Sequence, residues 1–376
     1  MIIRSKKNKN RALIVAAFLL ILCANYYFLF NKNELNEHVM ALPPYPPSTV
    51  VLDVEWDYSS LKREASGSDL WPTTWSNDGF IYTAWGDGGG FHGTNAIGRV
   101  NLGVGRIEGI PEMLSAVNLW GGYNATSAAS FVGKPTGLVS INGCLYMGVV
   151  EQNKWLRWKI GRSIDHGHSW EFNGEPFEKN WDFAEPDGAF SDTSFLNFGK
   201  DYSGSRDEYV YAYSQDNRAA KDRYSIAMFR VKKDKLLNRN AYEYFAGLDA
   251  YKNPQWVSNI KHRKSVFRDP NGVGWGVRVV YNPGIKRYLL TTWHKLDGSW
   301  GIFEAPEPWG PWATIAYYKH WIDNTPKFGF DFPRKWMSAD GRTMWMVFSG
   351  TGIYDSINLI KASLILKNTS DRNMAN

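Results

Sequence analysis

Trp75-Ser76-Asn77-Asp78-Gly79-Phe80-Ile81-Tyr82 runs the end of one short strand through an Asp-Gly turn into an apolar strand that carries a tyrosine. Aspartate can bond its own backbone across such a turn, and glycine accepts the positive φ the turn requires. The same unit recurs four times. Its copies are Pro135-Thr136-Gly137 with Asn142-Gly143-Cys144-Leu145-Tyr146, and Ser194-Phe195-Leu196 with Asp207-Glu208-Tyr209-Val210-Tyr211. Val279-Val280-Tyr281-Asn282-Pro283-Gly284 with Arg287-Tyr288-Leu289 is the next, and Pro333-Arg334-Lys335-Trp336 with Asp340-Gly341 and Met344-Trp345 the last. The aromatic anchors Tyr82, Tyr146, Tyr211, Tyr288 and Trp345 stand 64, 65, 77 and 57 residues apart. That period suits a four-stranded blade with generous loops, so five copies predict an all-β, five-bladed β-propeller. Val50 to Trp56 is then expected to close the last blade and remove an exposed sheet edge. A β-sandwich with accidental periodicity is the alternative.

Composition narrows the function classes. The formal charge is +6, but Arg4, Lys6, Lys7, Lys9 and Arg11 supply five of those charges. The rest of the chain is almost neutral, which argues against nucleic acid as a partner. Of the two cysteines, Cys23 lies in an apolar N-terminal run and Cys144 in a predicted strand, so no disulfide framework or zinc spacing exists. No cofactor-binding pattern is present. The run Gly86 to Gly93 follows a strand but opens no helix and lacks the Lys-Ser/Thr ending of a phosphate loop.

Residues 12–30 form an apolar run, broken only by Asn25, directly behind the basic tail 1–11. Its length suits a single membrane crossing of about 30 Å at 1.5 Å per residue. The positive tail is expected to stay cytoplasmic, which places the remainder on the periplasmic or extracellular side. Cleavage of this segment as a signal peptide, giving a secreted body, is the competing reading. Residues 31–49 contain Pro43-Pro44-Tyr45-Pro46-Pro47 and read as a semi-rigid linker. The propeller is assigned to 50–366 and a disordered tail to 367–376.

Ser163-Ile164-Asp165-His166-Gly167-His168-Ser169-Trp170 resembles the Asp box of sialidase-like propellers, a turn whose role is structural. A second resemblance covers the whole body. It rests on Trp75 to Gly88, on Ala241-Tyr242-Glu243-Tyr244-Phe245-Ala246-Gly247, on Tyr281-Asn282-Pro283 with Arg287-Tyr288-Leu289, and on Glu304-Ala305-Pro306-Glu307-Pro308-Trp309-Gly310-Pro311-Trp312. These stretches are similar to a family long catalogued as a domain of unknown function, some members of which are endo-D-arabinofuranases. The resemblance implies a five-bladed propeller and a polysaccharide or oligosaccharide substrate.

Glycoside hydrolysis needs two carboxyl groups, one protonated and one ionised. Asp69 precedes a predicted inner strand, where the resemblance implies a general base in related arabinanases. Asp87 occupies a Gly-Asp position that the resembled family retains, among glycines that would admit a substrate. Glu151 ends the second strand of the second repeat, and Asp192 opens the inner strand of the third. Each has the plainer reading of an aspartate or glutamate that caps its own turn, and Asp78, Asp207 and Asp340 are assigned that structural role.

Trp71, Trp85, Trp155, Trp158, Trp275, Trp293 and Trp300 lie near predicted loops or strand ends, where indole faces can stack on sugars. Trp71, Trp85 and Trp155 are taken as substrate-binding, with His92, Arg157, Arg278 and His294 as hydrogen-bonding partners. The leading function is an endo-acting glycoside hydrolase that uses carboxylate acid/base chemistry, with an arabinan-type furanoside as one candidate substrate. A non-catalytic glycan-binding propeller is the alternative. A sialidase, with Arg99, Arg157 and Arg278 as an arginine triad, ranks behind both.

Overall fold

The computed structural model describes residues 42–130, 132–152, 155–172, 183–184, 188–216, 223–294, 299–323 and 325–367. The basic tail, the apolar run 12–30, most of the linker and nearly all of the C-terminal tail lie outside the described residues. No helix among the described residues is long and apolar enough to cross a membrane.

Five antiparallel sheets make up the propeller. The strand β1 (Val51–Glu64) is followed by blade 1, formed by β2 (Thr73–Trp75), β3 (Ile81–Gly86), β4 (Leu102–Ile107) and β5 (Ala116–Trp120). Blade 2 contains β6 (Lys134–Ile141), β7 (Cys144–Val150), β8 (Arg157–Ser163) and β9 (Phe183–Ala184). Blade 3 is enlarged: β10 (Ser194–Phe195), β11 (Tyr209–Gln215), β12 (Ser225–Lys232), β13 (Glu243–Leu248) and β14 (Pro254–Val257) are joined by β15 (Ser265–Arg268), which pairs with β12. Blade 4 holds β16 (Arg278–Asn282), β17 (Arg287–Trp293), β18 (Trp300–Ala305) and β19 (Ala313–Tyr318). Blade 5 holds β20 (Phe328–Asp331), β21 (Thr343–Ser349) and β22 (Ile357–Leu366), and β1 is its outermost strand.

The repeat read from the sequence is the first hairpin of each blade. All five anchor aromatics sit on the second strand: Tyr82 on β3, Tyr146 on β7, Tyr211 on β11, Tyr288 on β17 and Trp345 on β21. Asp78 accepts the Phe80 N–H at 3.0 Å and the Tyr82 hydroxyl at 2.6 Å. Asp207 repeats this with the Tyr209 N–H at 2.9 Å and the Tyr211 hydroxyl at 2.5 Å. Asp340 accepts the Arg342 N–H at 3.1 Å. These aspartates fasten turns, as carboxylates of this kind do when they satisfy nearby donors. The closing strand is longer than the segment expected from the sequence. It pairs with β22 from Val51 opposite Leu366 to Glu64 opposite Ile357, with two register shifts.

Neighbouring innermost strands pack in sequence, β2 on β6, β6 on β10, β10 on β16 and β16 on β20. The ring closes where Thr73 donates its N–H and its hydroxyl to Asp331 Oδ2, at 2.9 and 2.7 Å. Arg278 lies on this axis, only 5% exposed. Its guanidinium donates to Thr136 O at 2.8 Å, Ser194 Oγ at 3.3 Å and Leu70 O at 3.5 Å, which ties blades 1, 2 and 3 to blade 4. The hairpin turns occupy one end of the propeller. The opposite end, where innermost strands begin and second strands finish, collects the candidate catalytic residues.

Candidate active site

Asp69 stands just before β2. Its backbone forms a two-way bridge to Gly86, with both N–H···O contacts at 3.0 Å. The next two residues are left-handed, Leu70 at φ 82° and Trp71 at φ 46°. Positive φ in bulky residues persists only where the surroundings impose it, and such strain concentrates at functional sites. Here three blades impose it. Gly86 of blade 1 holds Asp69, Ser349 Oγ of blade 5 accepts the Leu70 N–H at 3.0 Å, and Arg278 of blade 4 reaches the Leu70 carbonyl. Gly329 leaves the room this needs: a Cβ there would lie 2.7 Å from Leu70 O.

The bridge brings Asp69 beside Asp87, the residue after Gly86. Asp87 Oδ1 meets Lys134 Nζ at 2.6 Å and Arg99 Nη2 at 3.0 Å. Lys134 opens β6 with its side chain 5% exposed, and it also donates to Asn101 O at 3.2 Å. Asp69 is held differently. Its Oδ1 is sealed from solvent and has no hydrogen-bond partner. Burial, then the charge of Asp355, drives its carboxyl up to about 8; Lys134 opposes the rise, Asp87 adds to it, and Arg99 opposes it. Asp355 comes from the loop between β21 and β22, where its backbone carbonyl accepts the Gly67 N–H at 2.7 Å. Its own carboxyl is raised, chiefly by burial and then by Asp87. One carboxyl is thus kept protonated near neutrality while its neighbour faces two cations. A carboxyl kept protonated in this way can serve as an acid.

Other residues selected from the sequence have partners of their own. Glu151, at the end of β7, is bound by Arg157 Nε at 2.7 Å, and its Oε1 is buried without a partner. Arg157 is 45% exposed in its side chain and engaged with that glutamate. Asp192 Oδ2 accepts the Gly276 N–H at 2.7 Å and faces Arg278, so it braces the blade 3–4 junction. Trp155 is half-buried, with φ at 58°, and His92 is exposed in the glycine run, with φ at 60°.

Trp71 and Trp85 cannot be sugar platforms, because both indoles are fully buried. They stack at 5.6 Å with Phe91 against them. Gly90, Gly103 and Gly122 make room for Trp85: a Cβ at any of them would lie 2.3 to 2.7 Å from its ring. Part of the glycine run therefore serves packing rather than substrate approach. Trp158 and Trp300 are also core residues.

Arg278 is the axial tie already described, buried beneath the surface. His294 is fully buried, its Nδ1 3.4 Å from Asp269 Oδ2 and its ring 4.4 Å from that of Tyr317. Burial lowers the imidazole to about 4, leaving it neutral and unavailable to sugars. The arginines of the sialidase reading are each engaged by other groups. Arg99 binds Asp87, Arg157 binds Glu151, and Arg278 binds the inner strands.

Lys134 and Asp355 were missed from the sequence. Lys134 is the one charged residue of a buried strand, and Asp355 is distant in sequence and reaches the site only through closure of the ring. Among the described residues, no group of three His, Cys, Asp or Glu side chains is placed to hold a metal ion.

The sequence signature of a family described as a domain of unknown function, DUF4185, matches residues 64–328. The chain belongs to the DUF4185 family. The matched span runs from the end of β1 to the first residue of β20, and so includes Asp69, Asp87, Arg99 and Lys134 but stops short of Asp355. No curated protein matches the chain. Among solved structures, a GH43_1 enzyme from Xanthomonas citri is similar at 11% identity and a TM-score of 0.48, over 81% of this chain and 88% of that one. RS223 β-xylosidase is similar at 11% identity and 0.48, over 88% and 97%. The GH43B protein of a Bacteroides ovatus xyloglucan locus is similar at 13% identity and 0.47, over 82% and 55%.

Proposed function

We propose that this DUF4185 chain is a glycoside hydrolase that cleaves within a polysaccharide, with Asp69 as general acid and Asp87 as its ionised partner. The observation that carries the reading is the unlike setting of the two carboxyl groups: Asp69 with one oxygen buried and unpartnered and its carboxyl held up to about 8, Asp87 against Lys134 and Arg99. A protonated Asp69 delivers its proton to the glycosidic oxygen as the C–O bond breaks. Asp87 stabilises the positive charge that grows at the anomeric carbon, and either attacks that carbon or takes a proton from the attacking water. Roughly 5–5.5 Å between the two carboxyl groups in a substrate complex would mark a retaining enzyme, and roughly 6.5–9.5 Å an inverting one. An arabinan-type furanoside is the substrate class to test first. The apolar run 12–30 would anchor the chain in a membrane, residues 31–49 would space it, and the propeller 50–366 would work on the periplasmic or extracellular side.

The test is reducing-end release by the purified chain from arabinans, galactans, xylans and bacterial envelope glycans, alongside Asp87→Asn and Asp69→Asn. Release that either substitution abolishes supports the reading. Release that survives both moves the chemistry elsewhere. Binding to one glycan with no release by the unmodified chain would make the propeller a lectin-like module.

A further inference from the structure

The same end of the propeller carries an aromatic ridge that the acid/base reading does not use. Trp275 lies in the loop entering β16, Phe328 opens β20, and Tyr354 lies in the loop between β21 and β22. The Trp275 and Phe328 rings are 4.3 Å apart, and Phe328 and Tyr354 are 4.9 Å apart, tilted by 49° and 45°. Phe328 is buried and backs the other two, Trp275 is half-buried, and Tyr354 is 42% exposed. Trp275 is fixed from behind by Trp293, which stands edge-on at 5.9 Å and donates its Nε1–H to Trp275 O at 2.7 Å. Gly274 allows that contact, since a Cβ there would lie 1.9 Å from Trp293 Nε1. A platform ordered before binding spares the ligand the entropy of arranging it.

The ridge reaches the carboxyl pair by two short routes. Gly329, next to Phe328, packs on the Leu70 carbonyl beside Asp69. Tyr354 directly precedes Asp355, whose charge acts on Asp69. An aromatic face with a carboxylate at its edge matches a sugar ring, which offers C–H groups to the face and hydroxyl donors to the rim. We infer that Trp275 and Tyr354 form a stacking subsite for a sugar unit of the polysaccharide, on the blade 4–5 side of the cleavage point. This rests on the hydrolase reading for the identity of the chain that is bound.

The experiment compares the full-length protein with Tyr354→Ala, Tyr354→Phe and Trp275→Ala, on whichever panel polysaccharide is cleaved. Loss of one stacking face is expected to raise KM about tenfold. Tyr354→Phe, which keeps the ring, should restore it. A wild-type KM in Tyr354→Ala overturns the subsite and leaves the hydrolase reading standing. Tyr354→Ala carries the test alone if Trp275→Ala fails to fold. If the unmodified protein cleaves nothing, calorimetric titration with the same panel decides: binding that Tyr354→Ala abolishes keeps the subsite, whereas equal binding, or none, sinks it.

Discussion

Asp69→Asn should make the protein more stable while removing its activity, and the gain should depend on pH. In the unfolded chain an aspartate titrates near about 3.9, whereas the folded protein holds Asp69 up to about 8. Below about pH 4 both states keep the proton, and Asp69 adds nothing to the pH dependence. Between about pH 4 and 8 the folded state retains a proton that the unfolded state releases, so stability falls as pH rises. Above about pH 8 the fold carries a buried charge and this slope vanishes. At about 1.4 kcal/mol per pH unit the whole interval amounts to about 6 kcal/mol. Asparagine keeps the shape and has no proton to lose. The variant should therefore match the wild type at pH 4 and exceed it by about 6 kcal/mol at pH 9. Urea unfolding followed by tryptophan fluorescence, at intervals from pH 4.5 to 9, would measure this. Parallel stability curves for the two proteins would refute the claim that Asp69 is protonated in its pocket.

Four further outcomes are expected. The alkaline limb of the kcat/KM profile should fall near pH 8, where Asp69 loses its proton, and Asp355→Asn should move that limb down because a neighbouring negative charge is gone. Lys134→Met should move the same limb up and lower kcat by about a hundredfold through loss of the cation beside Asp87, both read from one set of pH-rate curves. Trp85→Ala empties a filled blade core and should lower the unfolding free energy by about 3–5 kcal/mol in urea titrations. Ser349→Ala frees one of the clamps on the strained Leu70 turn and should reduce kcat with little change in urea midpoint; a wild-type kcat would show the turn holds without it.

The five blades were legible because each begins with a hairpin whose signals are local: a turn residue, a glycine or asparagine, and an aromatic a few positions on. The long interval between Tyr211 and Tyr288 also has a local cause, the extra strands β14 and β15 in blade 3. Burial of individual tryptophans was not legible. Trp85 is sealed by Gly90, Gly103 and Gly122, which come from two loops and a neighbouring strand, and no window along the chain shows them together. The candidate site divides in the same way. Asp69 and Asp87 stand out as carboxylates that flank one blade's first hairpin, one just before its first strand and one just after its second. Their roles are set by Lys134 from the next blade and Asp355 from the last, so the assignment of acid and base becomes readable only once the ring is closed.

That closure has a consequence for synthesis and for damage. The first strand of the propeller to be made, β1, waits for the last, and the seam extends to Lys367, whose N–H bonds Val50 O at 3.0 Å. A chain that stops before β22 does not become a slightly shorter propeller. It leaves an open ring with two raw edges and without the lock that brings Asp355 to Asp69, and such edges recruit other chains. The final strand thus acts as a completeness check on translation: a chain cut at residue 356 should be found in aggregates rather than in solution.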